Sequence, residues 1–282
     1  MNAGENLSAF TLDGLLDQYQ VSGRVANVIL EFDRCGSFLP ALTAPPDHLR
    51  ISMASSRPNQ NAIWSDNGVV SFTRFFLNHI WEGRTIGYAF RKAYYGLKSA
   101  TSRFQLPEID DDGDGVPEHI GARWKHSTER YLGPAFVTGD DTPLIGSVMP
   151  TSLIFGANSS NLWARDILDV DGITNVWCVV TPPDFDEVGD LTETNLSYNS
   201  AKQRWEVEYT NFNQPGVYQL TFFAKDTRGN ISHPAQSAME SGDIYETDDT
   251  ADQASPYEMS TFQRHSFHSP DDEDWVRVYL VD

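Results

Sequence analysis

The stretch that decides the fold of the amino-terminal part is RVANVILEFDRCGSF, residues 24–38. Residues 24–32 are apolar and rich in β-branched side chains, which predicts a strand buried on both faces of a parallel sheet. The strand is followed by a polar turn that contains Asp33, Arg34 and Cys35. Because ligands and catalytic groups in open α/β sheets lie at the carboxyl ends of strands, we expect any functional side chains of this region in that turn.

The flanking sequence extends this strand into an α/β pattern. Phe10, Leu12, Leu15 and Leu16 recur at helical intervals, with Ser8 or Thr11 as the N-cap. Further segments predict a strand over 50–54, a helix over 71–80 and a helix from Gly83 to about Tyr95. This order is typical of one half of a doubly wound sheet. Because such a sheet needs more than two strands to be stable, we expect the chain to be an internal piece of a longer protein.

These segments resemble the caspase-like cysteine peptidases of clan CD, and most closely the bacterial legumain-like, C13-type branch. The resemblance covers about residues 7–120 and implies a partial caspase-like domain. It rests on five segments in order: LDGLLD at 12–17, the strand and turn at 24–38, RISMASS at 50–56, SFTRFF at 71–76 and GRTIGYAF at 83–90.

The catalytic positions of that family are altered here. Aligned on the strand, Asp33 occupies the nucleophile position and Cys35 falls where the family has serine. A carboxylate is a far weaker nucleophile than a thiolate toward an amide carbon, and a thiol needs a base. The family's base is an upstream histidine, whereas the first histidine of this chain is His48. We therefore expect an inactive peptidase homologue that serves as a scaffold or binds a protein or peptide. The alternative is a cysteine endopeptidase that uses Cys35 with a histidine from sequence further upstream.

An acidic loop, EIDDDGDGVPEH at 108–119, is the second candidate site. Asp110, Asp112, Asp114 and Glu118 alternate around glycines, an arrangement that wraps carboxylate oxygens around a hard cation. It predicts a structural Ca²⁺ ion that stiffens the junction between two domains. The alternative is a solvated acidic linker.

The second half of the chain predicts an immunoglobulin-like, antiparallel β-sandwich. Short apolar runs separated by turn residues occur at 151–155, 174–180, 204–209 and 217–224. In the last run either Val217 and Gln219 or Tyr218 and Leu220 face the core, and the Tyr218 hydroxyl is expected to make a tyrosine-corner hydrogen bond. Asp169-x-Asp171-Gly172 is interpreted as a hairpin turn.

The carboxyl-terminal residues predict an acidic linker followed by the beginning of another β domain. Residues 240–255 lack an apolar period, and the alternating strand at 272–282 has no following strand to pair with. The predicted domains are therefore a partial α/β domain over 1–106, a calcium loop and connector over 107–143, a sandwich over 144–237, and a linker with a truncated β segment over 238–282.

Composition limits the partners and the compartment. The 40 acidic and 20 basic residues give a net charge of −20, which disfavours nucleic acid and anionic membrane surfaces. No apolar run reaches the roughly 20 residues of a membrane span. Two cysteines, Cys35 and Cys178, exclude a disulfide framework. The resemblance implies an extracellular or cell-surface bacterial protein whose signal peptide and further domains lie outside this sequence.

Overall fold

The computed structural model describes residues 6–21, 23–122, 124–132, 142–154, 157–186, 190–242, 245–257, 263, 265, 267 and 271–279. The chain divides into two compact units, residues 1–140 and 141–282. Each unit is described by itself below. Among the described residues, none of the helices has the length and hydrophobicity needed to cross a bilayer.

In its described part, the first unit contains a three-stranded sheet and three α-helices. The sheet order is β1-β2-β3, and Val28 of β1 lies opposite Ser52 of β2 in a parallel pair. β3 was not predicted; it runs antiparallel to β2 and begins the acidic loop. The elements are α1 (Ala9–Gln20), β1 (Ala26–Leu30), β2 (Arg50–Ala54), α2 (Phe72–Trp81), α3 (Ile86–Ala100) and β3 (Glu108–Asp110).

Side-chain caps define where the helices begin. The hydroxyls of Ser8, Ser71 and Thr85 each accept a hydrogen bond from the backbone N–H three residues later. Such a bond satisfies one of the unpaired amides of the first helical turn. Ser8 is therefore the N-cap of α1, one of the two residues predicted for that role. Gly83, with φ of 74°, follows the end of α2 in a left-handed conformation that suits glycine.

Two predictions about burial in this unit are wrong in part. Leu12 and Leu16 pack against the core cluster that contains Val28, but Phe10 and Leu15 are exposed. The apolar spacing of α1 is therefore divided between two sides of the helix. β1 is not buried on both faces, because Asn27 is exposed between buried neighbours. β2, by contrast, is buried at every position.

The second unit contains a β-sandwich. One sheet has the order β4-β6-β10-β9 and the other β5-β12-β11-β7-β8, and a single hydrophobic cluster contains side chains of both. The four predicted strands correspond to β5, β7, β10 and β11, while the others were missed. The strands are β4 (Leu144–Val148), β5 (Ser152–Ile154), β6 (Ser160–Leu168), β7 (Ile173–Thr181), β8 (Thr192–Asn195), β9 (Ser197–Asn199), β10 (Arg204–Tyr209), β11 (Gly216–Asp226) and β12 (Ala235–Ser241).

The register of β11 resolves the alternative that the sequence left open. Tyr218 and Leu220 are buried, whereas Val217 is 42% exposed. The Tyr218 hydroxyl accepts a hydrogen bond from the backbone N–H of Gln214 at 2.8 Å. The predicted tyrosine-corner bond is thus confirmed, because the ring enters the core and its polar tip finds a backbone donor.

The carboxyl-terminal predictions need correction. The predicted boundary after residue 237 falls inside β12. The segment interpreted as a linker includes Asp248, whose side chain is fully buried, so part of it is folded. The terminal strand is also not unpaired: β13 (Ser255–Tyr257) and β14 (Val276–Val278) pair in parallel.

Candidate functional site

The turn after β1 is held close to the end of β2. Arg34 adopts a left-handed conformation with φ of 60°, and a 3-10 helix begins at Cys35. The backbone N–H of Gly36 donates to the Ser56 carbonyl at 2.9 Å. A Cβ atom on Gly36 would lie 2.7 Å from that carbonyl oxygen and 2.7 Å from Glu108 Oε2. This position therefore requires glycine because two neighbouring chain segments approach its backbone.

The Cys35 thiol is enclosed by hydroxyl and backbone groups. Its residue exposure is 0%, and Sγ lies 3.4 Å from both Ser55 Oγ and Ser56 Oγ. Sγ also lies 3.5 Å from the Leu30 carbonyl oxygen, and the Ser56 N–H donates to it at 3.4 Å. None of these described partners is an imidazole or a carboxylate that would remove the thiol proton.

Asp33 makes a hydrogen bond that holds the turn in place. Its side chain is exposed, and Oδ1 accepts a hydrogen bond from the Ala62 N–H at 2.9 Å. The adjacent Arg34 N–H donates to the Gln60 carbonyl at 2.8 Å. These two bonds attach the turn to the loop that follows β2.

Two acidic residues near this turn were missed by the sequence analysis. Glu31 accepts hydrogen bonds from the N–H groups of Phe72 and Thr73 at the amino end of α2, where a negative charge is favourable. Burial nevertheless raises the pKa of Glu31 above its usual value. Burial likewise raises the pKa of Glu108, which lies 3.5 Å from Arg57 Nε. The sequence signal for Glu31 is its position, because it is an acidic residue directly after the apolar end of β1.

Three of the four predicted metal ligands come together. Asp110, Asp112 and Glu118 each offer a carboxylate oxygen, and these oxygens lie within 4.8 Å of one another. Asp110 is fully buried, and its two oxygens accept from Gly113 N at 2.7 Å and Gly115 N at 2.9 Å. Each oxygen retains a second lone pair for another partner.

The electrostatics of this loop disfavour its negative charge. Burial raises the pKa of Asp110 to about 6, and the nearby carboxylates of Asp114 and Asp112 add to the effect. Burial also raises the pKa of Glu118 to about 7, again with a contribution from Asp110 and Asp112. The arrangement can therefore take up either protons or a cation at neutral pH.

Asp114 and Asp111 have other roles in the loop. Asp114 Oδ1 accepts from the Val116 N–H at 2.7 Å, and Asp114 is not among the three residues whose oxygens converge. Asp111 was not predicted; its buried carboxylate accepts from the N–H groups of Lys125, His126 and Ser127. Burial alone would raise the pKa of Asp111, but these hydrogen bonds lower it further than burial raises it. The sequence alone does not show which member of a run of three aspartates faces the other carboxylates and which accepts backbone hydrogen bonds.

The loop is packed tightly against the segment that precedes β2. Gly113 and Gly115 have φ of 80° and 83°. A Cβ atom on Gly113 would lie 2.8 Å from the Ala44 Cβ, and one on Gly115 would lie 3.0 Å from the Thr43 Cγ2. The Ala44 N–H donates to the Gly113 carbonyl at 2.7 Å. The two glycines are thus needed for both backbone conformation and close approach.

The second unit also contains groups of carboxylates whose oxygens lie close together. Asp169, Asp171 and Asp226 converge in the connection from β6 to β7, where Gly172 has φ of 88°. The prediction of a hairpin at this turn is wrong, because β6 and β7 belong to different sheets and do not pair. Arg228 Nε lies 3.2 Å from Asp171 Oδ2. In the tail, Asp248 converges with His265 and Asp274, and Asp274 also converges with Glu246 and Asp272.

Comparison with known proteins gives limited similarity. No family model and no curated protein matches the chain. Solved structures with partial similarity include the CbhA fibronectin(III)-like modules of Clostridium thermocellum, at 13% identity over 36% of this chain and 96% of that one, with a TM-score of 0.25. A family 76 glycoside hydrolase from a Bacteroides thetaiotaomicron strain has 12% identity over 39% of this chain and 22% of that one, with a TM-score of 0.31. The SrpA adhesin of Streptococcus sanguinis has 16% identity over 37% of this chain and 58% of that one, with a TM-score of 0.25.

Proposed function

We propose that this chain is part of a secreted protein of the legumain/caspase-like, C13-type cysteine peptidase family whose α/β unit is not catalytic. It would act as a scaffold or as a binding module for a protein or peptide. The observation that carries this proposal is the enclosure of Cys35, which is fully buried and hydrogen-bonded to Ser55 and Ser56.

The chemistry of the neighbouring residues supports the same conclusion. At the position of the family nucleophile, Asp33 offers a carboxylate that already accepts a backbone hydrogen bond. A carboxylate in an aqueous turn does not attack amide carbonyls at a useful rate. For Cys35 to act instead, the turn would have to open, and a histidine would have to reach the sulfur.

Labelling with an electrophilic peptide distinguishes the two functions. The folded protein is incubated with a peptidyl acyloxymethyl ketone, digested and mapped by mass spectrometry. A parallel sample unfolded in guanidinium is treated with iodoacetamide to show that both thiols can be modified. The proposal predicts no acyloxymethyl ketone adduct on Cys35 of the folded protein. A time-dependent adduct that competing peptide substrate suppresses would establish the peptidase alternative.

We propose further that the acidic loop binds Ca²⁺ through Asp110, Asp112 and Glu118, with a structural role within the loop. The support is the convergence of the three oxygens around a fully buried carboxylate, together with raised pKa values that a divalent cation would reverse. The irregular loop suits Ca²⁺, which accepts six to eight oxygens in variable geometry, better than Mg²⁺, which requires an octahedron. Backbone carbonyls and water would supply the remaining ligands.

A further inference from the structure

One imidazole and two carboxylates converge in the carboxyl-terminal segment of the second unit, from residue 245 onward. Asp248, His265 and Asp274 each bring a ligand atom to the same place, and these atoms lie within 4.8 Å of one another. The three residues come from separate stretches of the chain. The Trp275 N–H donates to the Asp248 carbonyl at 3.0 Å, which holds the first stretch beside the last. The group is therefore assembled by tertiary contacts and not by a run of acidic residues.

The side chains of this group are largely withdrawn from water. The exposed fraction of the side chain is 0% for Asp248, 8% for Asp274 and 14% for His265. A carboxylate buried to this degree is stable only beside compensating positive charge. The Nδ1 atom of His265 lies 3.3 Å from Asp248 Oδ2 and 3.9 Å from Asp274 Oδ1. The compensating charge at this point is either a proton on the imidazole or a metal ion.

The surroundings of His265 determine which of its nitrogen atoms carries the proton. Gln263 Nε2 donates to the Pro256 carbonyl at 2.8 Å, so the amide presents its Oε1 atom to the imidazole. That oxygen lies 3.4 Å from His265 Nε2. Because a side-chain amide oxygen can only accept, Nε2 carries the proton and Nδ1 has a lone pair. The Tyr245 ring stacks on the imidazole at a centroid distance of 4.9 Å and keeps this orientation.

This orientation favours a metal ion over a proton. The Nδ1 atom of His265 is buried and forms no hydrogen bond with a residue that the structure describes, although two carboxylates are near it. A lone pair that faces two carboxylates is unfavourable unless a cation lies between them. Histidines that bind metals are held in the same way, since the ring nitrogen that does not bind the ion donates to a neighbouring acceptor.

The ligand types and their spacing favour zinc among the metals. Calcium and magnesium are bound by oxygen atoms, whereas an imidazole combined with carboxylates suits Zn²⁺. A tetrahedral Zn²⁺ ion with bonds of about 2.0–2.2 Å places its ligand atoms roughly 3.3–3.6 Å apart. The two nitrogen–oxygen distances, 3.3 and 3.9 Å, are close to that spacing. Two carboxylates, a neutral imidazole and Zn²⁺ together carry no net charge, which suits a buried site.

We propose that Asp248, His265 and Asp274 bind a Zn²⁺ ion that holds the carboxyl-terminal segment together. Glu246 and Asp272 offer further carboxylate oxygens, which lie within 4.8 Å of an oxygen of Asp274. One of these or a water molecule completes the tetrahedron. The role is structural, because the ion joins three separate stretches of chain and stabilises the pairing of β13 with β14. This site goes beyond the proposed function and does not depend on it.

The test is titration of the chelator-treated whole chain with Zn²⁺ by calorimetry, with millimolar Ca²⁺ present throughout to occupy the acidic loop. We expect one Zn²⁺ ion per chain, and a loss of affinity of about tenfold or more in His265→Gln and in Asp248→Asn. His48→Gln, which changes a histidine of the first unit, is the matched control and should leave the affinity unchanged. Co²⁺ serves as a spectroscopic probe of the unaltered protein: the visible absorption of a tetrahedral site should appear with Co²⁺ and disappear when Zn²⁺ is added.

Three results would overturn the proposal. The first is a lack of Zn²⁺ uptake by the chelator-treated chain. The second is unchanged affinity in His265→Gln when its circular dichroism matches that of the unaltered protein. The third is a Co²⁺ absorption spectrum that the chain does not alter. Because this site and Cys35 lie in different units, failure here leaves the proposed non-catalytic function untouched.

Discussion

Arg50 and Asp13 form an ion pair that joins β2 to α1, with Nη1 of the arginine 2.6 Å from Oδ1 of the aspartate. The Arg50 side chain has no solvent exposure, and it also donates to Asp17 at 2.7 Å and to Gln20 at 2.8 Å. A guanidinium buried this completely is stable only when its donors are matched by acceptors. Asp13, Asp17 and Gln20 of α1 are thus attached to a single side chain of the sheet.

Removal of one acceptor should destabilise the first unit. Asp13→Ala leaves the buried guanidinium with fewer partners, and we expect a loss of about 2–3 kcal/mol in the free energy of unfolding. Urea denaturation followed by circular dichroism measures this. Asp47→Asn is the control, because Asp47 lies in an exposed turn with φ of 62° and asparagine tolerates that conformation; it should change stability by less than about 0.5 kcal/mol. Equal effects in the two variants would show that the Arg50 network contributes little.

The acidic loop should not tolerate a side chain at Gly113. Gly113→Ala combines a positive φ with a Cβ atom 2.8 Å from that of Ala44, so we expect a loss of about 2–4 kcal/mol. Gly172→Ala is a matched comparison, because its φ is also positive while the space around it is open. It should cost only about 1 kcal/mol. Equal losses in urea denaturation would mean that close packing of the loop is unimportant.

Calcium should stabilise the first unit through the acidic loop. In the chelator-treated protein, addition of millimolar Ca²⁺ is expected to raise Tm by several degrees, because an ion that binds only the folded state stabilises it. Asp112→Asn should abolish most of this rise, whereas Asp47→Asn should leave it intact. Mg²⁺ at the same concentration should have a smaller effect. An identical rise in Asp112→Asn would exclude the loop as the binding site.

The metal-free loop should also make stability depend on pH. The folded-state pKa values of Asp110 and Glu118, about 6 and about 7, lie above those of the unfolded chain. The folded state therefore binds more protons between about pH 4 and 7, and the contribution of these groups to stability falls as pH rises through that window. Conversely, the stabilisation by Ca²⁺ should be larger at pH 8 than at pH 5.5, because the ion requires deprotonated ligands.

Comparison with Glu118→Gln isolates this effect from other titrating groups. In chelator, the variant should become more stable relative to the unaltered protein as the pH is raised from 5 to 8. Its free energy of unfolding minus that of the unaltered protein should therefore increase over this range. The change should follow the deprotonation of the native glutamate. A constant difference between the two proteins over that range would contradict the assignment.

Several elements could be predicted because their signals are local. The predicted strand at 50–54 forms β2 over the same residues, and the apolar spacing of α2 and α3 gave both helices to within about five residues at each end. The hydroxyl bond of Tyr218 was also expected, although alternation within the strand left open which side of β11 faces the core. In each case the deciding information lies within about ten consecutive residues.

Other features depended on contacts between distant segments. The apolar run RVANVILEF predicted burial on both faces and could not show that Asn27 would be exposed, because burial depends on what covers each face of the sheet. β3 was missed because its three residues are acidic or flank acidic residues, and only pairing with β2 makes them a strand. Asp248 was assigned to a linker because its burial requires residues more than fifteen positions away.

The residue types of the two candidate sites were determined by the sequence itself: an aspartate, an arginine and a cysteine in the turn after β1, and alternating carboxylates around Gly113 and Gly115. Only the tertiary structure decided how accessible these groups are. Cys35 is enclosed because Ser55 and Ser56, which directly follow β2, pack against it, and Asp110 converges with Asp112 and Glu118 while Asp114 does not. The physical reason is that chain chemistry is set residue by residue, whereas burial, proton affinity and ligand geometry depend on which segments pack together.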